Sequence, residues 1–164
     1  MKKITLLTIV LITFLGCKCI KKTASQTTDG NEKTMEKENV TTNTKNDFIL
    51  TYTANTRGFY QKTTIKNQIM AVSRDRSGIE KEEKSKLSNA DWSDLVVAFN
   101  KTNLDELFNL KAPTEKRFYD GAAIADLKIT VKENTYETQP FDHGFPPAEI
   151  KELVDKITTL SKKK

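Results

Sequence analysis

Apolar and polar positions change their period several times along the chain, and each change marks an element. Ile4 to Gly16 is an uncharged run of thirteen residues, preceded by Met1-Lys2-Lys3. Crossing a bilayer core of ~30 Å at ~1.5 Å per residue takes about twenty apolar residues, so this run is too short to span. A brief basic stretch followed by a brief apolar one is the layout of a secretory signal peptide. The pattern then dissolves. Residues 18–45 hold only Ile20, Met35 and Val40 as large apolar side chains, among seven Thr and ten charges. Such a stretch buries too little surface to offset its ordering entropy, which predicts a disordered tether with an r.m.s. span of roughly 30 Å.

Period two begins at Phe48-Ile49-Leu50-Thr51-Tyr52-Thr53, a strand pattern that stops at Ala54-Asn55-Thr56-Arg57-Gly58, a turn signal in which Gly58 is free to take positive φ. Phe59 to Ile65 resumes it, Lys66-Asn67-Gln68 turns it, and Ile69 to Val72 continues it, predicting three antiparallel strands with short turns. Arg74 to Leu87 is charged and carries Ser and Gly, the composition of a loop. Period 3.6 follows: Ser88, with Asp91 three residues on, supplies an N-cap and a near capping box, and Trp92, Leu95, Val96 and Phe99 form one stripe. Leu104, Leu107 and Phe108 extend helical spacing until Pro113.

The clearest alternation in the chain is Ala125, Leu127, Ile129 and Val131 against Asp126, Lys128, Thr130 and Lys132, one face core and one face wet. Lys132-Glu133-Asn134 turns it into Thr135 to Thr138, and Pro140 ends that ladder or marks an edge. Pro146-Pro147 opens a last helix with Ile150, Leu153, Val154, Ile157 and Leu160 on one stripe and Lys162 to Lys164 at the negative end of its dipole. The order βββ-α-ββ-α predicts an α+β two-layer sandwich over residues 46–164, with an antiparallel sheet of about five strands and both main helices on one face.

Charge alters the picture once it is divided along the chain. The formal +5 includes Lys2 and Lys3 in the leader and six Lys against four acids in residues 17–45, leaving nineteen Lys plus Arg against eighteen Asp plus Glu in residues 46–164. A domain near neutrality has no electrostatic footprint for nucleic acid, so none is expected as a partner. Both cysteines, Cys17 and Cys19, fall at the end of the leader, so residues 46–164 contain neither a disulfide nor a thiol.

The residues Phe14-Leu15-Gly16-Cys17 resemble the lipobox of bacterial lipoproteins, apolar positions and a small residue before the cysteine. Gly16 lets a peptidase approach the backbone ahead of Cys17, whereas Cys19 follows Lys18. Phe14 and Leu15 stand where leucine and a small residue are usual. The resemblance implies cleavage before Cys17, a thioether-linked diacylglycerol on it and an acyl chain on its freed amine. Three chains exceed the two signals that stable anchoring needs. Lys18 after the cysteine, with no acid until Asp29, resembles Gram-negative sorting signals that imply the periplasmic face of the outer membrane. The acylated Cys17 makes the lipid bilayer one partner, and a tethered binding or scaffold domain there would take an envelope protein as another.

His143 is the only histidine, which rules out any two-His ligand set within one copy. No serine sits in a nucleophile-elbow pattern, and the glycines are isolated, so no phosphate loop exists. No cofactor and no enzymatic activity are expected; a hydrolase would need two of the eighteen carboxylates to converge. Two loops carry more aromatic and polar residues than turns require: Asn55-Thr56-Arg57-Gly58-Phe59-Tyr60, and Phe118-Tyr119-Asp120-Gly121 with Phe141-Asp142-His143-Gly144-Phe145 as its possible neighbour. That composition suits an interface, which nominates Arg57, Phe59, Tyr60, Tyr119, Asp120 and His143, against the plainer reading that these rings close the ends of the sandwich.

This layout from lipobox to Phe141-Asp142-His143-Gly144-Phe145-Pro146-Pro147 resembles that of small bacterial envelope lipoproteins, a resemblance that implies no activity. The sheet-helix-sheet-helix order is also similar to that of emfourin-like inhibitors of thermolysin-type metallopeptidases, in which an early Gly-Gly-Phe segment matters. Gly58-Phe59 matches two of those three positions, and Arg57 stands at the other.

Overall fold

The computed structural model describes residues 47–163; Cys17, with the expected signal peptide and tether, lies outside the described residues, as does Lys164. Strand β1 (Phe48–Thr56) runs through the middle of the sheet, paired antiparallel with β2 (Phe59–Lys66) on one side and β5 (Ile124–Val131) on the other. Beyond β2 lie β3 (Ile69–Ser73) and the edge strand β4 (Glu83–Lys86); beyond β5 lies β6 (Asn134–Glu137), and β7 (Phe141–Asp142) also pairs with β5. The order is β4-β3-β2-β1-β5-β6. This is the α+β sandwich that the pattern predicts, with two more strands than expected.

Alternation fixes which face is dry. Phe48, Leu50, Tyr52 and Ala54 of β1 point to the core, beside Ile65 of β2, Met70 and Val72 of β3, and Ala125, Leu127 and Ile129 of β5. Helices α1 (Asn89–Asn100) and α2 (Lys151–Leu160) cover that face with Trp92, Leu95, Ala98 and Phe99 from one and Leu153, Val154, Ile157 and Leu160 from the other. Phe48 is the pivot of the aromatic part, its ring 4.0 Å from Phe99 and 5.4 Å from Trp92 between centroids. Two polar residues also point inward, Gln61 and Thr63. Gln61 Nε2 donates to Thr63 Oγ1 at 3.2 Å and to Ser161 Oγ at 3.0 Å, so the polar pair ties the end of α2 to the sheet.

Several local expectations need correction. Glu83–Lys86, expected as part of a loop, forms β4, because Asp75 folds the preceding connection into a compact turn: its carboxylate accepts from the backbone N–H of Ser77 at 2.8 Å, Ile79 at 2.8 Å and Glu80 at 2.9 Å. The amide donors, Glu80 first, hold the Asp75 carboxyl at about 2. Helical spacing does not carry on through Phe108. At the end of α1 the Thr102 hydroxyl turns back to the Ala98 carbonyl at 3.3 Å, and Leu107–Asn109 forms only a 3-10 turn, with Leu107 buried and Phe108 exposed.

Turn chemistry differs too. Gly58 does not adopt the left-handed conformation; Asn67 (φ 49°) and Gln68 (φ 65°) do, making the β2–β3 connection a type I′ hairpin. Lys162 and Lys163 follow the Ser161 C-cap at the C-terminal end of α2, and Lys163 also spans to Asp91 in the first turn of α1, its Nζ 2.9 Å from Oδ1. Pro140 lies at the break between β6 and β7, where the missing N–H interrupts a single edge.

Candidate interface at the hairpin end of the sheet

Asp142 organises one end of the sheet. Its pairing with Ile124 puts it at the start of β5, and it is fully buried. Buried carboxylates require partners, and this one has them. The backbone N–H groups of Lys116 and Arg117 donate at 2.7 and 3.0 Å, Thr114 Oγ1 donates at 2.5 Å, and the Arg117 guanidinium donates at 3.1 Å. Burial pushes the carboxyl upward, but these donors, Thr114 foremost, outweigh it and hold Asp142 at about 2. The consequence is mechanical. A 3-10 turn, Lys116–Tyr119, is pinned to the sheet by one charge, and Asp120 closes it in the left-handed conformation (φ 58°).

The next residue in the chain reaches the other way. His143 Nδ1 lies 2.7 Å from the Tyr52 hydroxyl, and the His143 amide donates to the Ala123 carbonyl at 2.9 Å. Tyr52 is wholly buried; burial first, then the charges of Asp126 and Asp155, push its phenol upward, so it stays protonated. Burial, then Lys162, pushes the imidazole downward and favours the neutral ring. A neutral imidazole accepting the phenol proton at Nδ1 carries its own proton on Nε2. Phe59 covers the outer side of the ring, 5.6 Å between centroids.

Around this base stand cations and exposed rings. Lys116 Nζ sits 3.7 Å from the centre of the Phe145 ring, and the Arg117 guanidinium 4.3 Å from that of Phe118. Phe118 and Tyr119 are 72% and 71% exposed, and Phe59, Ile124 and Phe145 are also exposed. Five large apolar side chains thus crowd the end of the sheet at which β1 finishes and β5 begins. An open depression beside Phe118, lined by Leu110, Ala112, Glu115, Arg117 and Pro140 among others, adds apolar surface there.

The nominated residues divide. Phe59 and His143 meet directly, and Tyr119 and Asp120 join them through the turn that Asp142 pins, so the two loops are neighbours. Arg57 is at the exposed tip of the β1–β2 hairpin. Tyr60 belongs elsewhere: its strand position shares the open face with Lys62, where Arg76 lies 6.0 Å from its ring and donates to the Thr56 carbonyl at 2.5 Å. Tyr52, Asp142, Lys116 and Arg117 were not singled out in sequence. An Asp next to the lone His, between two Phe, was the available signal for Asp142; nothing local marks Tyr52, whose partner is 91 residues away.

Among the described residues no helix is long and apolar enough to cross a membrane. Neither a protein-family model nor a curated protein matches the chain.

Proposed function

We propose that this protein is a lipoprotein, acylated at Cys17 and held in the cell envelope, that presents a small non-catalytic binding domain to an envelope protein. The anchor rests on the lipobox-like Phe14-Leu15-Gly16-Cys17. The binding role rests on one observation: Phe118 and Tyr119 stand exposed on a turn held by buried Asp142, and Phe59, Ile124 and Phe145 are exposed at the same end of the sheet, with Lys116 against the Phe145 ring. Large apolar side chains exposed at one end of a sheet, rather than scattered singly, mark an interface. Rigid rings on a pinned turn also lose little entropy on binding.

The anchor is tested by labelling cells with a clickable palmitate analogue; equal labelling of the parent and Cys17→Ala removes it. Cross-linking in native membranes followed by purification tests the interface. A specific envelope protein recovered with the parent and lost with Phe118→Ser/Tyr119→Ser supports it, and equal recovery from both counts against it. Phe59 beside the hairpin tip also favours a second reading, an emfourin-like peptidase inhibitor. That reading predicts loss of thermolysin-type metallopeptidase activity at micromolar protein, relieved by altering Arg57-Gly58-Phe59.

A further inference from the structure

The face of the sheet turned away from the helices is open, and its charges are unevenly spread. Register places Lys62, Thr64 and Lys66 of β2, Ile69, Ala71 and Ser73 of β3, and Lys84 and Lys86 of β4 on it, since their neighbours Thr63, Ile65, Met70 and Val72 point into the core. Lys66, Ile69 and Lys86 lie side by side across three strands, and Thr64, Ala71 and Lys84 form the row next to them. The lysines of the helical layer are occupied: Lys101 with Glu152, Lys151 with Asp155, Lys156 with Asp94, Lys163 with Asp91. Lys62, Lys66, Lys84 and Lys86 enter no ion pair among the described residues, and on this half of the face Glu82 is the acid that lines the same shallow depression as Lys66, Ile69 and Lys84. A second depression on this half, beside Lys62 and Ser73, brings Asp75 and Glu80 together with Arg76 and Lys81, so the excess of lysine lies around Ile69; Asp126 and Glu137 lie across β1, where Glu137 is paired with Lys128.

Lysines on an edge strand also discourage pairing with other sheets. That accounts for Lys84 and Lys86 but not for Lys62 and Lys66, two strands in from the edge. Ile69, 42% exposed in the middle of the row, is also the wrong residue for a purely repellent surface. Chain entry supplies a direction. Ile49 pairs with Lys66, so the Lys66-Ile69-Lys86 row is at the end of the sheet where residues preceding Asp47 join it, opposite the aromatic end at Thr56 and Phe59.

We propose that this lysine-bearing half of the open sheet face docks on an anionic phospholipid bilayer, leaving the aromatic end uncovered for a partner. The proposal rests on the lipoprotein reading for the nearness of that bilayer. Their register sends these lysines to one side of the sheet, and each ammonium within a Debye length of an anionic leaflet adds to the attraction. The tether delivers the domain to the surface, and the lysines select which side lies down.

The test uses the full-length protein, purified in detergent and reconstituted with vesicles of phosphatidylcholine alone or mixed with phosphatidylglycerol. Amine acetylation is followed at each lysine by mass spectrometry. Phosphatidylglycerol is expected to slow labelling of Lys62, Lys66, Lys84 and Lys86 about threefold or more, an effect lost at high salt, while Lys111 and Lys151 keep their rates. Replacing the four lysines by Gln, all at surface positions, should equalise Ile69 accessibility, read by hydrogen exchange, between the two vesicle types. Equal labelling in both compositions overturns the docking face, as does protection by polyglutamate without protection by vesicles, which would assign it to an acidic protein. Retention on phosphatidylcholine alone reports the anchor separately. A protein that leaves those vesicles but is protected on phosphatidylglycerol refutes the lipid anchor and keeps the docking face.

Discussion

The Tyr52 hydroxyl lies 2.7 Å from Nδ1 of His143, joining the buried centre of the middle strand to a loop 91 residues further on. The pair makes the domain sensitive to mild acid. Burial depresses the His143 pKa below its ordinary 6.5, so the folded state prefers the neutral ring more than the unfolded chain does. The contribution is therefore whole above 6.5 and declines as pH falls from there through the folded-state value. An NMR titration should place the His143 midpoint below 6.5, and His143→Gln should flatten the pH dependence of the unfolding midpoint across that range. A midpoint at or above the ordinary value would contradict the assignment of the phenol as donor.

Asp142 gives the loop end its rigidity, so its removal should be felt in stability before anything else. Asp142→Ala leaves the Lys116 and Arg117 amides without their acceptor and a nearly buried guanidinium without its carboxylate, holding only the Thr114 carbonyl, at an expected cost of about 3 kcal/mol or more. Asp142→Asn keeps the shape but places an NH₂ against donors, and it should destabilise in the same direction. The acid limb carries the same signature. With a folded value of about 2 against an ordinary 3.8, the carboxylate stabilises fully above the ordinary value and is lost as pH falls through about 2. Denaturant titrations at pH 5 and pH 2 should differ less for Asp142→Asn than for the parent; an undiminished difference would move the acid sensitivity to Asp75, which is held equally low.

The layers were legible in sequence because they are periodic. Leu127 and Ile129 alternating with Lys128 and Thr130, or Leu153, Val154 and Ile157 on one stripe, carry their face with them. What escaped notice lacks a period. β4 is Glu-Lys-Ser-Lys, exposed at all four positions, and exists because Asp75 shapes the turn before it. Asp142 and Tyr52 become significant only through residues 25 or more positions away, and no local pattern records such distances. Tyr60 follows Phe59 in sequence and shares its composition signal, yet consecutive strand residues face opposite sides.

Ser88 illustrates a local signal that carried through. Its Oγ accepts from the Asp91 amide at 3.1 Å, and its hydroxyl donates to Asp91 Oδ2 at 2.8 Å, closing the first turn of α1. Ser88→Ala should cost about 1 kcal/mol, the usual loss for an N-cap. Lys163→Ala, which removes the exposed bridge to the same Asp91, should cost no more than about 0.5 kcal/mol. Thermal unfolding of both variants and their double tests the ranking. A larger loss for Lys163→Ala would mean that the bridge between the two helices, rather than the cap, sets the stability of α1.

Phe118 and Tyr119 separate binding from folding most cleanly. Each exposes about seven tenths of its surface, at 72% and 71%, so little core contact is lost when they are shortened. Phe118→Ser and Tyr119→Ser should each change stability by no more than about 0.5 kcal/mol. Tyr119 packs near Gly121, where an added Cβ would meet its ring at 3.0 Å and the Lys116 carbonyl oxygen at 3.3 Å, so Gly121→Ala should displace the ring and also loosen the turn that carries it. Rings that only sealed the end of the sandwich would behave otherwise, since their loss would uncover the Tyr52 and His143 pair and lower the unfolding midpoint. Stability and partner capture measured on the same two variants therefore distinguish a binding surface from a lid: the surface loses capture at constant stability, and the lid loses both.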